Sequence, residues 1–191
     1  MQVVLVNPEI PQNTGSIART CAATLSPLHL VGKLGFQITE KAVRRAGLDY
    51  WPHVDLHQHK TWEDYLLKAQ PARIWLFSTH GSTKYYEAQF QPEDALVFGS
   101  ETKGLGKDFL AKFPQEHILV IPIVCPGVRS LNLSNAVSIA VYEARRQLAL
   151  NPVSPPAGEH IVSSPDREVA DATCPERASA SRGKQATNGC A

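Results

Sequence analysis

Three well-separated segments of the chain each begin as an apolar, strand-like run and then break into Gly, Pro, Asn and Ser. They are residues 7–19, 96–105 and 121–136. In α/β proteins, strands end where backbone N–H and C=O groups are free to meet a ligand, so breaks of this kind tend to line a common site. The sequence therefore predicts a ligand site built from loops. Its candidate polar side chains are Arg19, Glu101, Ser130 and Asn132.

The first 150 residues alternate between strand-like and helix-like stretches. Short apolar runs predict strands at residues 3–6, 28–31, 54–56, 73–77, 95–98 and 118–123. Helices are predicted at residues 14–24, 39–46, 62–69, 108–113 and 133–150. Asn13 or Thr14 is the expected N-cap of the first helix, and Thr39 that of the second. The alternation predicts an α/β fold with a mostly parallel sheet and helices on both of its faces.

Residues 151–191 differ in composition from the rest of the chain. They contain no Leu, Met, Phe, Tyr or Trp and are rich in Pro, Ser and Ala. Such a segment buries too little apolar area to offset an ordering entropy of about 1–2 kcal/mol per residue. We therefore predict one folded domain at residues 1–150, followed by a disordered tail at residues 151–191.

Composition also narrows where the chain works and what it binds. No apolar run approaches the roughly 20 residues of a membrane span, and the N-terminus lacks the basic region of a signal peptide. The four cysteines form no Cys-x-x-Cys pair, which suits a reducing cytosol. A formal net charge of +1 means that any nucleic-acid surface must be a local patch. We expect a cytoplasmic protein with no membrane partner.

The sequence does not match the motifs of a P-loop, a dinucleotide-binding fold or a zinc site. The glycine-rich run at residues 99–106 is not a P-loop, because Lys103 precedes the second glycine. The first strand is followed by two prolines and not by the Gly-x-Gly-x-x-Gly of a dinucleotide fold. His53, His57 and His59 are interpreted as a surface cluster and not as a zinc site, because a neighbouring proline disfavours the helix that such spacing needs. No metal is expected.

The three segments resemble the motifs of the SPOUT methyltransferases, specifically the branch that methylates the ribose 2′-OH of tRNA. The matching motifs are residues 13–19 (NTGSIAR), 96–105 (LVFGSETKGL) and 130–143 (SLNLSNAVSIAVYE). Residues 8–15 and 44–50 are further similar to the subgroup that acts on the wobble nucleotide of the anticodon. That subgroup lacks a separate RNA-binding domain. The resemblance covers residues 1–150.

The resemblance implies an α/β fold whose C-terminal segment is threaded into a deep trefoil knot. It also implies a homodimer that shares the RNA site between its subunits, and S-adenosylmethionine as cofactor. The cofactor-binding positions that it implies are Phe77, Ser78, Gly99, Ile121, Ser130 and Leu131. Without a Cβ, Gly99 either lets the cofactor approach the backbone closely or only makes a turn.

The catalytic positions implied by the resemblance are Arg19, Glu101, Ser130 and Asn132. Arg19 is expected to bind the substrate phosphate and to stabilise the developing alkoxide, since a guanidinium does not readily lose a proton. Glu101 either orients Arg19 or holds its loop through backbone N–H groups. Asn132 is a helix cap, a group near the substrate, or both, and the same alternatives apply to Asn13.

The substrate-binding positions implied by the resemblance are Asn13, Lys41, Arg44, Arg45 and Arg129, with His53 as a possible extension. Tyr50 and Trp51 either stack on unpaired bases of an anticodon loop or belong to the core. The resemblance thus predicts a tRNA 2′-O-methyltransferase that acts on the wobble cytidine or uridine. The alternatives left open are methylation of another tRNA or rRNA ribose, and a non-catalytic knotted RNA-binding protein.

Overall fold

The computed structural model describes residues 1–36 and 50–149, in which seven parallel strands form one sheet. The strands are β1 (Gln2–Val6), β2 (Leu28–Val31), β3 (Leu56–His59), β4 (Arg73–Phe77), β5 (Thr83–Lys84), β6 (Asp94–Phe98) and β7 (Ile118–Val120). Their order across the sheet is β3-β2-β1-β6-β4-β7-β5, and each neighbouring pair is parallel. The predicted parallel α/β architecture is confirmed.

Helices cover both faces of this sheet. They are α1 (Pro11–Ala23), α2 (Trp62–Ala69), α3 (Lys107–Leu110) and α4 (Leu133–Leu148), with 3₁₀ turns at Trp51–His53, Tyr85–Glu87 and Gln115–His117. Val3 and Leu5 of β1 pack into the core under α1 and α4. Val4, which points to the opposite face, packs into the core under α2 and α3. Because the central strands are buried on both faces, they carry consecutive apolar residues, as at Val3–Leu5 and Ala95–Phe98.

Helix α1 begins at Pro11 and not at Thr14. Its N-cap residue is Ile10, which makes no side-chain capping bond, so the prediction that Asn13 or Thr14 is the cap is wrong. Proline suits the first helical position because its fixed φ is already helical and its missing N–H needs no partner there. The earlier start places Asn13 inside the first turn, where it is buried.

Several other boundaries also differ from those predicted. Strand β3 is Leu56–His59 and not residues 54–56, because its pairing with β2 begins at Leu56 opposite Leu28. Strand β7 ends at Val120, since the prolines that follow cannot donate to a sheet ladder. The two-residue strand β5 was not predicted. The predicted helix at 39–46 and the predicted tail at 151–191 lie outside the described residues.

The fold places the C-terminal helix α4 against α1. A hydrogen bond of 3.1 Å between Thr20 Oγ1 and Ser138 Oγ joins the two helices beside their shared core. The threading of this segment into a knot stays a prediction. Within residues 1–36 and 50–149, no helix is long and apolar enough to cross a membrane.

Candidate active site at the carboxyl edge of the sheet

Four neighbouring strands deliver their following loops to one edge of the sheet. Strands β1, β6, β4 and β7 are consecutive in the sheet and parallel, so their carboxyl ends lie side by side. The loops that follow them are residues 7–10, 99–106, 78–82 and 121–132. The three segments singled out in the sequence therefore converge, and direct hydrogen bonds join them.

Glu101 joins the loop after β6 to the start of α1. Its half-buried carboxylate accepts hydrogen bonds from the N–H groups of Glu9 at 2.8 Å and Ile10 at 3.2 Å, and from Asn13 Nδ2 at 3.0 Å. Negative charge is favourable at a helix N-terminus, where N–H groups lack helical partners. Burial alone raises the pKa of Glu101, but the hydrogen bonds from Asn13, Glu9 and Ile10 outweigh it and lower the pKa below its ordinary value. Of the two predicted roles, the structure shows Glu101 holding the loop through N–H groups.

Glu9, in the loop after β1, makes a second set of hydrogen bonds to the loop after β6. Its carboxylate accepts from the backbone N–H of Thr102 at 3.2 Å and from Thr102 Oγ1 at 2.9 Å. The chain after β2 holds the same loop from its other side, where the Gly35 N–H donates to the Pro8 carbonyl at 2.9 Å. The loop after β1 is thus fixed between two others. Sequence reasoning missed Glu9 and Thr102, because no spacing rule pairs residues so distant along the chain.

Two asparagines extend the network to the third segment. Asn132 Nδ2 donates to Asn13 Oδ1 at 3.0 Å, and Asn132 Oδ1 accepts from the Ser134 N–H at 2.9 Å as the N-cap of α4. An ionised carboxylate only accepts, so Glu101 requires Asn13 to present its NH₂ group. That choice directs the Asn13 carbonyl oxygen toward the NH₂ of Asn132 and leaves the Asn132 oxygen to cap the helix. One carboxylate therefore sets the orientation of both amides.

Gly99 is required by its own loop. A Cβ at this position would overlap the backbone of Gly104 and Leu105. The loop closes on itself through the Ser100 N–H, which donates to the Gly104 carbonyl at 3.2 Å, and the Gly104 N–H, which donates back at 2.9 Å. The fold of this loop is thus sufficient reason for a glycine at position 99, and contact of Gly99 with a cofactor stays a prediction.

The other predicted cofactor positions lie on the same edge of the sheet. The Phe77 ring is buried in the core and stacks on Phe98 with centroids 4.5 Å apart, so only its backbone can meet a ligand. The Ser78 N–H donates to the Leu119 carbonyl at 2.9 Å. Ile121 and Leu131 are half-buried, and Ser130 is exposed. In the same loop, Val124 and Val128 are exposed apolar side chains that sequence reasoning did not single out.

Arg19 lies on the exposed side of α1 and stacks on an aromatic ring. Its guanidinium carbon is 4.6 Å from the centroid of the Tyr50 ring. The Tyr50 hydroxyl donates to the Gly15 carbonyl at 2.8 Å. Within residues 1–36 and 50–149, no hydrogen bond or ion pair joins Arg19 to Glu101, which favours the second of the two roles predicted for Glu101. The carboxylate is instead turned to the N–H groups at the start of α1.

The predicted RNA-binding positions divide into two groups. Lys41, Arg44 and Arg45 lie outside the described residues. Arg129 and His53 are exposed. Trp51 and Tyr50 are half-buried and pack against the core under α1, which favours the core alternative for both.

The histidines of the neighbouring strands β2 and β3 are not all on the surface. His59 is buried and its Nε2 is 2.9 Å from Nδ1 of His29, while the rings of His29 and His57 stack at 4.8 Å. The interpretation as a surface cluster is therefore wrong for His59, because the β2–β3 pairing places its ring beside that of His29. Burial, together with the two neighbouring imidazoles, lowers the pKa of His29 to about 4. No group of His, Cys, Asp and Glu side chains within residues 1–36 and 50–149 is arranged to hold a metal ion.

The family to which the chain belongs follows from comparison with known proteins. The SpoU rRNA Methylase family matches residues 1–142. The chain belongs to this family.

Individual relatives and solved structures match about three quarters of the chain. The chain is 46% identical over 147 residues to the tRNA (cytidine(34)-2'-O)-methyltransferase of Burkholderia ambifaria, a match covering 76% of this chain and 94% of the relative. A solved structure concerning the 2-OH methylation of C/U34 on tRNA is 48% identical with a TM-score of 0.70, and the match covers 78% of this chain and 95% of that one. The methyltransferase AviRb of Streptomyces viridochromogenes in complex with AdoMet has a TM-score of 0.66 at 23% identity, covering 78% of this chain and 61% of AviRb, which shows the shared fold alone.

Proposed function

We propose that this chain is an S-adenosylmethionine-dependent methyltransferase that methylates the ribose 2′-OH of the wobble cytidine or uridine of tRNA. The observation that carries the proposal is the similarity to relatives named for that reaction, one of which matches over 94% of its length. The geometry supports it, because the segments that carry the three motifs are joined by the hydrogen bonds from Glu101 through Asn13 to Asn132.

The residues at the carboxyl edge of the sheet fit S-adenosylmethionine. Its adenine and methionine parts would be held by loop backbone and apolar walls at Phe77, Ser78, Gly99, Ile121, Ser130 and Leu131. When bound, the cofactor supplies a methyl group on a positively charged sulfonium. The half-buried Ile121 and Leu131 offer apolar surface in the loop after β7, and parallel strands leave unpaired backbone groups at this edge.

Arg19 would act on the RNA. Its guanidinium is exposed, and Arg binds phosphate through N–H donors in a fixed planar fork. In this position it would hold the phosphate next to the target ribose and stabilise negative charge as the 2′-oxygen develops it. A guanidinium does not serve as the base, so the phosphate or water takes the proton. Ser130 and Asn132 would line the ribose side of the site.

RNA binding is proposed for four basic side chains and for Asn13, which lies in the first turn of α1. Lys41, Arg44, Arg45 and Arg129 would contact phosphates of the anticodon loop, and Asn13 would lie close to the ribose. The chain on either side of residues 37–49 is held against this region. Gly35 bonds to the loop after β1, and Tyr50 bonds to Gly15 of α1.

We also propose that the protein acts as a cytoplasmic homodimer and that residues 1–150 form the catalytic domain. Removal of residues 151–191 should then leave methyl transfer within about twofold of that of the full chain, a difference of well under 1 kcal/mol in activation free energy. Loss of most activity on truncation would show that the tail contacts RNA or the partner subunit.

Substitution of Arg19 tests the proposed function at its site. Arg19→Lys should lose most methyl transfer to tRNA while S-adenosylmethionine still binds, because lysine lacks the planar fork. Arg146→Lys is the matched control, since Arg146 lies on α4 and pairs with Glu143 at 2.8 Å on the surface. A fully active Arg19→Lys variant would remove Arg19 from the mechanism. A wild-type protein that binds the cofactor but methylates no RNA would favour the non-catalytic alternative.

A further inference from the structure

We propose that Tyr50 is a positioning residue for methyl transfer, which holds the Arg19 guanidinium in place from one face and leaves its N–H donors free for the substrate. The inference rests on the proposed function and adds to it a role for Tyr50 that differs from the base stacking considered from the sequence. It also supplies the orienting group that Glu101 does not provide.

The geometry fixes both partners of the contact. The guanidinium carbon of Arg19 is 4.6 Å from the ring centroid, within the range of about 6 Å in which an aromatic face attracts a cation. The ring is itself held, because the Tyr50 hydroxyl donates to the Gly15 carbonyl at 2.8 Å and its body packs against the core under α1. Gly15 and Arg19 are one helical turn apart on the same face, so the ring spans that turn.

An aromatic partner suits this role better than a carboxylate. A carboxylate would neutralise the guanidinium and occupy the same N–H groups that a phosphate needs. A ring covers only one flat face, and the N–H donors lie in the plane of the guanidinium, so they remain available. Positioning a long side chain before the substrate arrives also reduces the rotamer freedom lost on binding.

The bond from the Tyr50 hydroxyl does not depend on the missing side chain of Gly15. A Cβ built at Gly15 would lie 3.9 Å from the hydroxyl oxygen, which is an ordinary van der Waals distance.

Two substitutions of Tyr50 test the proposal by steady-state kinetics. Tyr50→Leu removes the ring and should lower kcat by roughly 2- to 30-fold, the range expected for a cation–π contact, with the KM for S-adenosylmethionine within about twofold of wild type. Tyr50→Phe keeps the ring and loses only the hydroxyl, so it should recover most of kcat. Tyr86→Leu is the matched control, because Tyr86 is an exposed tyrosine beside Lys84 on the turn after β5. Its kcat should equal that of wild type.

A double-mutant cycle with Arg19→Lys separates positioning from general packing. Under single-turnover conditions, Tyr50→Leu should add little to the loss caused by Arg19→Lys, because both changes remove the same placed guanidinium. Fully additive losses, or a kcat of Tyr50→Leu equal to wild type, would overturn the inference. If Tyr50→Leu fails to fold, Tyr50→Met, which also removes the ring and keeps a long apolar side chain, takes its place in the cycle, and full additivity there would likewise overturn the inference. Absence of methyl transfer by wild type would overturn the proposed function itself, which is a different outcome.

Discussion

Replacing Glu101 with glutamine should weaken the junction of the three loops. In Glu101→Gln one carboxylate oxygen becomes an NH₂ group. In one orientation of the amide, NH₂ faces the N–H of Glu9, and in the other it faces the donors of Ile10 and Asn13. Either orientation sets donor against donor. An unpaired donor and a lost bond to a charged group cost about 1–3 kcal/mol, which corresponds to roughly 3–10 °C in melting temperature for a domain of this size.

Thermal unfolding at two pH values measures this contribution. Because hydrogen bonding lowers the pKa of Glu101 in the folded state, its stabilising effect is complete above the ordinary value of 4.5 and is lost as the pH falls through the lower folded-state value. The difference in melting temperature between wild type and Glu101→Gln should therefore be full at about pH 7 and shrink below about pH 4.

The control for this experiment is Glu116→Gln, which changes an exposed glutamate in the 3₁₀ turn before β7. It should leave the melting temperature unchanged at both pH values. A difference for Glu101→Gln that is the same at both pH values would refute the reasoning, because the charge of the carboxylate would then play no part. So would a variant as stable as wild type.

Three further predictions concern stability. Gly99→Ala should lower the melting temperature, because a Cβ at this position would overlap the backbone of Gly104. Gly15→Ala is the control and should not lower it, because a Cβ there meets only an ordinary contact. Equal melting temperatures for the two variants would contradict this prediction. Burial and neighbouring imidazoles lower the pKa of His29 to about 4 in the folded protein. As the pH falls, the unfolded chain therefore takes up this proton at a higher pH than the folded protein does. The free energy of unfolding, measured with urea, should decrease as the pH drops from 6.5 toward 4. His29→Phe should flatten this slope, and an unchanged slope would exclude His29 as its source. Asp94→Asn should cost about 1–3 kcal/mol in urea unfolding, because a charged acceptor is lost, and a cost below about 0.5 kcal/mol would show that the bond to Arg73 contributes little. Asp94 is fully buried and accepts from Arg73 at 2.7 Å.

The convergence of the loops could be predicted from the sequence because it follows from parallel topology. Alternating strands and helices require a parallel sheet, and parallel strands place their carboxyl ends at one edge. The predicted strand at residues 73–77 matched β4 at both ends, because the four consecutive apolar residues after Arg73 are typical of a strand covered on both faces. The start of α1 was misplaced because Asn13 has a side chain typical of a cap, while Pro11 is the residue that begins the helix.

The contacts within the site could not be predicted from the sequence. Glu9 and Thr102 are separated by 93 positions, and nothing local marks them as partners. The stacking of Arg19 on Tyr50 depends on how the chain returns to α1 after residues 37–49, which periodicity does not describe. The buried pairing of His29 with His59 depends on the register of β2 and β3 and not on the spacing of histidines within one segment. Each of these contacts therefore depends on the tertiary structure and not on a local sequence pattern.

The most direct test of the proposed function is to map the methylated nucleotide. The purified protein is incubated with methyl-labelled S-adenosylmethionine and with unmodified and native tRNA, and the labelled nucleotide is identified after digestion. We expect the label as a 2′-O-methyl group on the wobble cytidine or uridine. Label on another ribose would keep the enzyme class and contradict the proposed substrate position, and no label on either tRNA pool would contradict the proposed function.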